Sequence, residues 1–106
     1  MTTKPHETID EWALNEARRI VTRLIGDRDI KVYLHGSRAK GNHRQFSDIG
    51  IALEGGDGPL DPALLAEIRE ALAESHIPYT ADVVDLATTD EPFRDRVRRE
   101  GILWKG

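Results

Sequence analysis

The sequence predicts an α/β (α+β) domain: a small mixed β-sheet with helices packed mainly on one face. Apolar residues recur at helical spacing over 9–24 and 62–72, and β-branched runs mark strands at 30–35, 47–53 and 79–86. These signals follow one another as α-β-turn-β-α-β-α with no internal repeat or low-complexity linker, and a helix-covered sheet is the simplest way to bury them. The 106 residues fit one domain, 1–106. A chain of this size buries roughly 65% of its unfolded surface and folds without a metal or disulfide staple.

Thr8 and Glu11 have capping-box spacing at the start of the first helix. Ile9, Ala13, Ala17, Ile20 and Leu24 form its apolar stripe, and Gly26 supplies a left-handed stop. Ile30 to His35 reads as a strand that runs directly into Gly36-Ser37. In Ser47 to Leu53 the side chains alternate: Ile49, Ile51 and Leu53 share one face, Asp48, Gly50 and Ala52 the other. After a glycine-rich loop at 55–58, Asp61 caps a helix that starts on Pro62 and buries Leu65, Ile68 and Leu72. Tyr79 to Leu86 is the third strand. Asp90, Glu91 and Pro92 open a last helix carrying Phe93 and Val97, which Gly101 ends.

Fifteen Lys and Arg against nineteen Asp and Glu leave a formal charge of −4, which argues against a broad nucleic-acid-binding surface. The absence of cysteine excludes a disulfide framework and Cys-ligated zinc or iron–sulfur sites, and agrees with a cytoplasmic location. No apolar run approaches the ~20 residues needed to span a membrane, and residues 1–10 lack the apolar core of a signal peptide.

The chemistry lies in Gly36 to Asp48, GSRAKGNHRQFSD. A Gly-Ser pair directly after a strand lets backbone N–H groups and a hydroxyl approach a phosphate closely. Arg38, Lys40 and Arg44 follow, with His43 among them and no acid until Asp48. Taken alone this is an ordinary solvated basic loop. Asp48 at the start of one strand and Asp82 inside the next change that reading. Carboxylates on neighbouring apolar strands are costly without partners, and together they suit a Mg²⁺ ion beside the phosphates of a nucleotide.

With these residues the chain resembles the minimal nucleotidyltransferases of the DNA polymerase β superfamily. Gly36, Ser37, Arg38, Ala39 and Gly41 match the family's loop, Ser47-Asp48 its first acid, Asp82 its third, and the closing EGILWKG its terminus; the likeness spans about Ile9 to Trp104. The resemblance implies a nucleotidyltransferase fold and a two-Mg²⁺ mechanism. Asp48 would hold metal, and Asp82 would complete a metal site and help activate the acceptor hydroxyl. Gly36, Ser37, Arg38 and Ser47 would bind ATP or another nucleoside triphosphate. It further implies an antitoxin-like role, transferring AMP from ATP to a small helical HEPN-type partner.

The pattern's second acid falls at position 50, where this chain has glycine. Glu54 shares the parity of residue 50 but lies ~13 Å along the strand. Asp85 has the opposite parity to Asp82, and Asp57 sits in the glycine-rich loop. Two divalent ions are poorly neutralised by two carboxylates. Gly50 leaves three readings: weak nucleotide or single-metal binding without transfer, an acid borrowed from a partner, or an altered position in an active enzyme. The rival function is a binding module that neutralises a partner by contact, and a coincidental motif would show as a sheet that separates Asp48 from Asp82.

Elsewhere, Arg94, Arg96, Arg98 and Arg99 make the last helix either a solvated cationic face or a dock for an acidic partner. Trp12 and Trp104 are core residues or interface anchors, with the ILWKG tail favouring contact with a partner or a second copy. His35 reads as a structural histidine beside the Gly-Ser turn.

Overall fold

A computed structural model describes residues 8–41 and 48–106. Its elements run α1 (Ile9–Ile25), β1 (Ile30–His35), α2 (Ser37–Lys40), β2 (Ile49–Gly55), α3 (Pro62–Ala73), β3 (Ala81–Asp85), α4 (Glu91–Glu100) and β4 (Ile102–Lys105). The strands form one mixed sheet in the order β3-β2-β1-β4. β1 is antiparallel to β2 and β4, while β2 and β3 are parallel with α3 between them in sequence.

Alternation along each strand sorts the side chains into two layers. Val32, Leu34, Ile49, Ile51, Leu53 and Val83 meet Ala13, Ala17, Ile20 and Val21 of α1 and Leu64, Ile68 and Leu72 of α3. On the other face, Tyr33 and Ala52 pack with Leu86, Val97 and Phe93, so α4 alone covers part of it. Helices therefore lie mainly on one face. The open remainder of the α4 face holds the candidate site.

The caps are those the sequence predicts. Thr8, Asp61 and Asp90 accept hydrogen bonds from Glu11 N, Ala63 N and Phe93 N respectively, each satisfying a free first-turn donor. The buried stripes keep Ala13, Ala17, Ile20, Ile68 and Leu72 of the predicted ones and differ at their edges. Ile9 is exposed and Leu24 half-buried, while Val21 and Ile25 are buried; in α3 it is Leu64 rather than Leu65 that faces the sheet.

The strand expected at 47–53 is shifted to 49–55, and that at 79–86 is shortened to 81–85. A fourth strand, β4, forms from the closing ILWKG segment, for which the sequence predicts no strand. Trp104 is buried in the α1-side core and its carbonyl accepts from Arg18 at 3.1 Å, so it anchors the fold and not a partner. Trp12 is half-buried against the same core. The exposed apolar side chains of this segment are Ile102 and Leu103. No helix among the described residues is long and apolar enough to cross a membrane.

Two polar contacts tie the connecting segments down. Asp85 is buried, and its carboxylate accepts from Leu60 N at 2.9 Å and from Ala87 N at 3.0 Å. Asp85→Ala strands two donors and is expected to cost about 2–3 kcal/mol, measured by urea unfolding. Arg98 of α4 donates to Glu54 of β2, and that bond holds the Glu54 carboxyl below its ordinary 4.5. A depressed folded value contributes stability that is present above the unfolded value and lost as pH falls through the folded one. Glu54→Gln should therefore flatten the loss of stability between about pH 5 and 3.

Candidate nucleotide site

Strand register lines up the central residues of the site. His35 of β1 pairs with Gly50 of β2, and Gly50 pairs with Asp82 of β3. All three share the α4 face with Tyr33, Ala52 and Val84, one row further along. Asp48 lies one residue before β2, in phase with Gly50, where Ile49 N donates to Thr80 O at 2.9 Å. The strand register thus places Asp48 and Asp82 at one end of one face, and does not show the separation that a coincidental motif predicts. Both acids are exposed to the open cleft.

The place of a side chain at position 50 is already taken. A Cβ there would stand 2.8 Å from the His35 carbonyl oxygen and 3.0 Å from both Cε1 and Nε2 of its ring. His35 leans over the glycine and meets Phe93 edge-on, with ring centroids 5.5 Å apart. Its Nε2 is buried without a hydrogen-bond partner. Burial pushes the imidazole's pKa down, and the nearby Asp82 charge offsets part of that. Desolvation therefore favours the neutral ring.

At the end of β1 the chain turns through Gly36, whose φ of 83° requires the left-handed freedom of glycine, into the single helical turn α2. Gly36 and Ser37 line a cavity of about 360 Å³ together with His35, Lys40, Phe93, Arg96, Val97, Glu100 and Gly101. Ala39 packs against the α1-side core and Gly41 ends the turn. Arg38 faces elsewhere. It is buried, its guanidinium stacks 4.5 Å above the Tyr79 ring, and it lies 3.8 Å from Asp10 of α1, which also accepts from the Tyr79 hydroxyl. Ser47, His43 and Arg44 lie outside the described residues.

The donor set decides what the site could hold. Among the described residues no three His, Cys, Asp or Glu side chains converge on a metal position. Two carboxylates flanking a glycine suit one dication that completes its shell with phosphate and water oxygens. They do not suit a pair of ions. Asp85, with both oxygens engaged on backbone donors and on the opposite face, supplies no third acid, and Glu54 is bound to Arg98.

The cavity residues Phe93, Arg96 and Glu100 were not legible as site residues. On α4 their spacing is that of any amphipathic helix, and sequence offers no sign that the helix crosses the Gly-Ser turn. The basic face divides in the structure: Arg98 is bound to Glu54 and Asp95, Arg96 lines the cavity, and Arg99 is exposed.

Comparisons with known proteins agree with this geometry. The family described as polymerase beta, nucleotidyltransferase matches residues 19–105. The probable protein adenylyltransferase MntA of Haemophilus influenzae is 38% identical over 103 residues, 97% of this chain and 88% of that protein. A toxin–antitoxin crystal structure with AMP-PNP superimposes with a TM-score of 0.66 at 28% identity, over 84% of this chain and 73% of that one. An MNT antitoxin in complex with the tri-AMPylated HEPN toxin of Shewanella oneidensis gives a TM-score of 0.64 at 25% identity, over 91% and 71%.

Proposed function

We propose, since the chain belongs to the polymerase β nucleotidyltransferase family, that it is an MntA-like antitoxin that transfers AMP from ATP to a HEPN-type protein in the cytoplasm. The observation that carries this reading is the meeting of the Gly36-Ser37 turn with Asp48 and Asp82 at one end of one sheet face. Ser37 and the glycine turn receive the phosphates. Members of the family generally use divalent metals, and Mg²⁺ held by Asp48 and Asp82 would neutralise phosphate charge at the reacting end. The acceptor hydroxyl approaches from the open cleft, and its oxygen bonds the α-phosphorus as the bond to pyrophosphate breaks. Asp82, exposed at that point, takes the hydroxyl proton. Exposed Ile102 and Leu103 on the edge strand β4 offer the partner an apolar contact.

Gly50 favours a second reading, neutralisation of the partner by contact alone. The two are separated by incubating the chain with ATP, Mg²⁺ and a HEPN-type protein and weighing that protein by mass spectrometry. Transfer predicts a mass increment of one AMP, abolished by Asp82→Asn. Silencing of the partner with no increment, unchanged in Asp82→Asn, would establish contact neutralisation instead.

A further inference from the structure

The cavity beside the Gly-Ser turn has a second wall that the motif does not describe. Its floor is apolar and aromatic, from His35, Phe93 and Val97, and its rim carries Ser37 and Lys40 from α2 and Arg96 and Glu100 from α4. An apolar floor with a cationic rim is the pattern that holds a nucleobase and its phosphates together. Two features of the rim go further. Arg96 is exposed and makes no ion pair among the described residues, whereas Arg98 two positions on is bound to Glu54 and Asp95. Lys40 is not idle: its Nζ lies 3.2 Å from Glu100 Oε1, an ion pair that spans the cavity from α2 to α4.

We propose that α4 is the second half of the nucleoside triphosphate site: Arg96 joins Lys40 on the phosphates, Phe93 faces the base, and Glu100 is an internal competitor that holds Lys40 until phosphate displaces it. This rests on the nucleotide-binding reading above and adds to it the residues that confer affinity. A carboxylate and a phosphate oxygen compete for the same ammonium group, and the exposed Lys40–Glu100 pair is weak enough to be exchanged. The arrangement also gives Glu100 an effect opposite to that of every other polar residue on the rim. Removing it improves binding.

The test titrates ATP with Mg²⁺, and separately inorganic triphosphate, into the native chain and its variants by calorimetry. Arg96→Gln should weaken ATP about tenfold, the value of a charge-assisted phosphate contact. Glu100→Gln should tighten both ligands about threefold and leave the thermal midpoint unchanged within a few degrees. Phe93→Ala should weaken ATP and leave inorganic triphosphate unaffected. Arg99→Gln, one residue from Glu100 and outside the cavity, controls for net charge and should change neither. ATP binding that is lost in Ser37→Ala but keeps native strength in Arg96→Gln and Glu100→Gln overturns the role of α4 and leaves the Gly-Ser site intact. Absence of ATP binding in the native chain and in every variant overturns both.

Discussion

Gly50→Asp is expected to destabilise the protein by about 2 kcal/mol, lowering Tm by roughly 10 °C, and to bind ATP with Mg²⁺ no more tightly than the native chain. On charge alone the opposite would follow, because the substitution restores the acid that the family pattern places there. The obstacle is volume. A Cβ at this position comes within 2.8 Å of the His35 carbonyl and 3.0 Å of the His35 ring edge. The ring can rotate, but the carbonyl moves only if β1 and β2 part where they pair. Gly50→Ala meets the same atoms and should lose comparable stability, which separates crowding from charge. Gly50→Asp combined with His35→Ala frees the ring's space, and should recover about half of the loss and bind ATP with Mg²⁺ more tightly than either single variant. Thermal unfolding and calorimetry of the four proteins measure this directly. A Gly50→Asp protein with native Tm and tightened ATP binding would show that nothing but the acid was missing.

Arg38→Ala should be costlier, about 3 kcal/mol by urea unfolding, below the upper range for a broken buried pair because Asp10 is partly exposed. The guanidinium fills the space between α1, the Tyr79 ring and the turn that carries it, and alanine leaves that space empty. Arg38→Lys keeps the charge without the planar stacking surface and should recover less than half of the loss. ATP titration into the folded protein decides whether the residue also serves the phosphates. Native affinity in Arg38→Ala confines it to the fold, and lost affinity with little change in stability would mean that it works in a different orientation.

The sequence made some of this legible and not the rest, for identifiable reasons. α1 is readable because capping at Thr8, a long apolar period and a terminal glycine agree with one another. The meeting of Asp48 with Asp82 is readable because strand parity fixes the face. β4 is not. It is four residues long, its register against β1 shifts between Val32 and Tyr33, and two of its apolar side chains are exposed, so it shows no alternation. The His35–Gly50 contact is equally silent, since the segment joining β1 to β2 does not fix their register. The second wall of the cavity depends on where α4 lands, which is a matter of tertiary packing and not of local pattern.

The interior position of Arg38 bears on how such motifs persist. A residue belonging to a phosphate-binding signature here joins the first helix to the segment leading into β3, the strand that carries Asp82. Selection for a foldable chain is then sufficient to retain it, whether or not any phosphoryl group is ever transferred. Intact Gly-Ser-Arg in a descendant of this lineage consequently reports that the architecture survives. Whether the chemistry survives is recorded at other positions, such as Asp48 and Asp82, whose exposed side chains the fold leaves freer to drift.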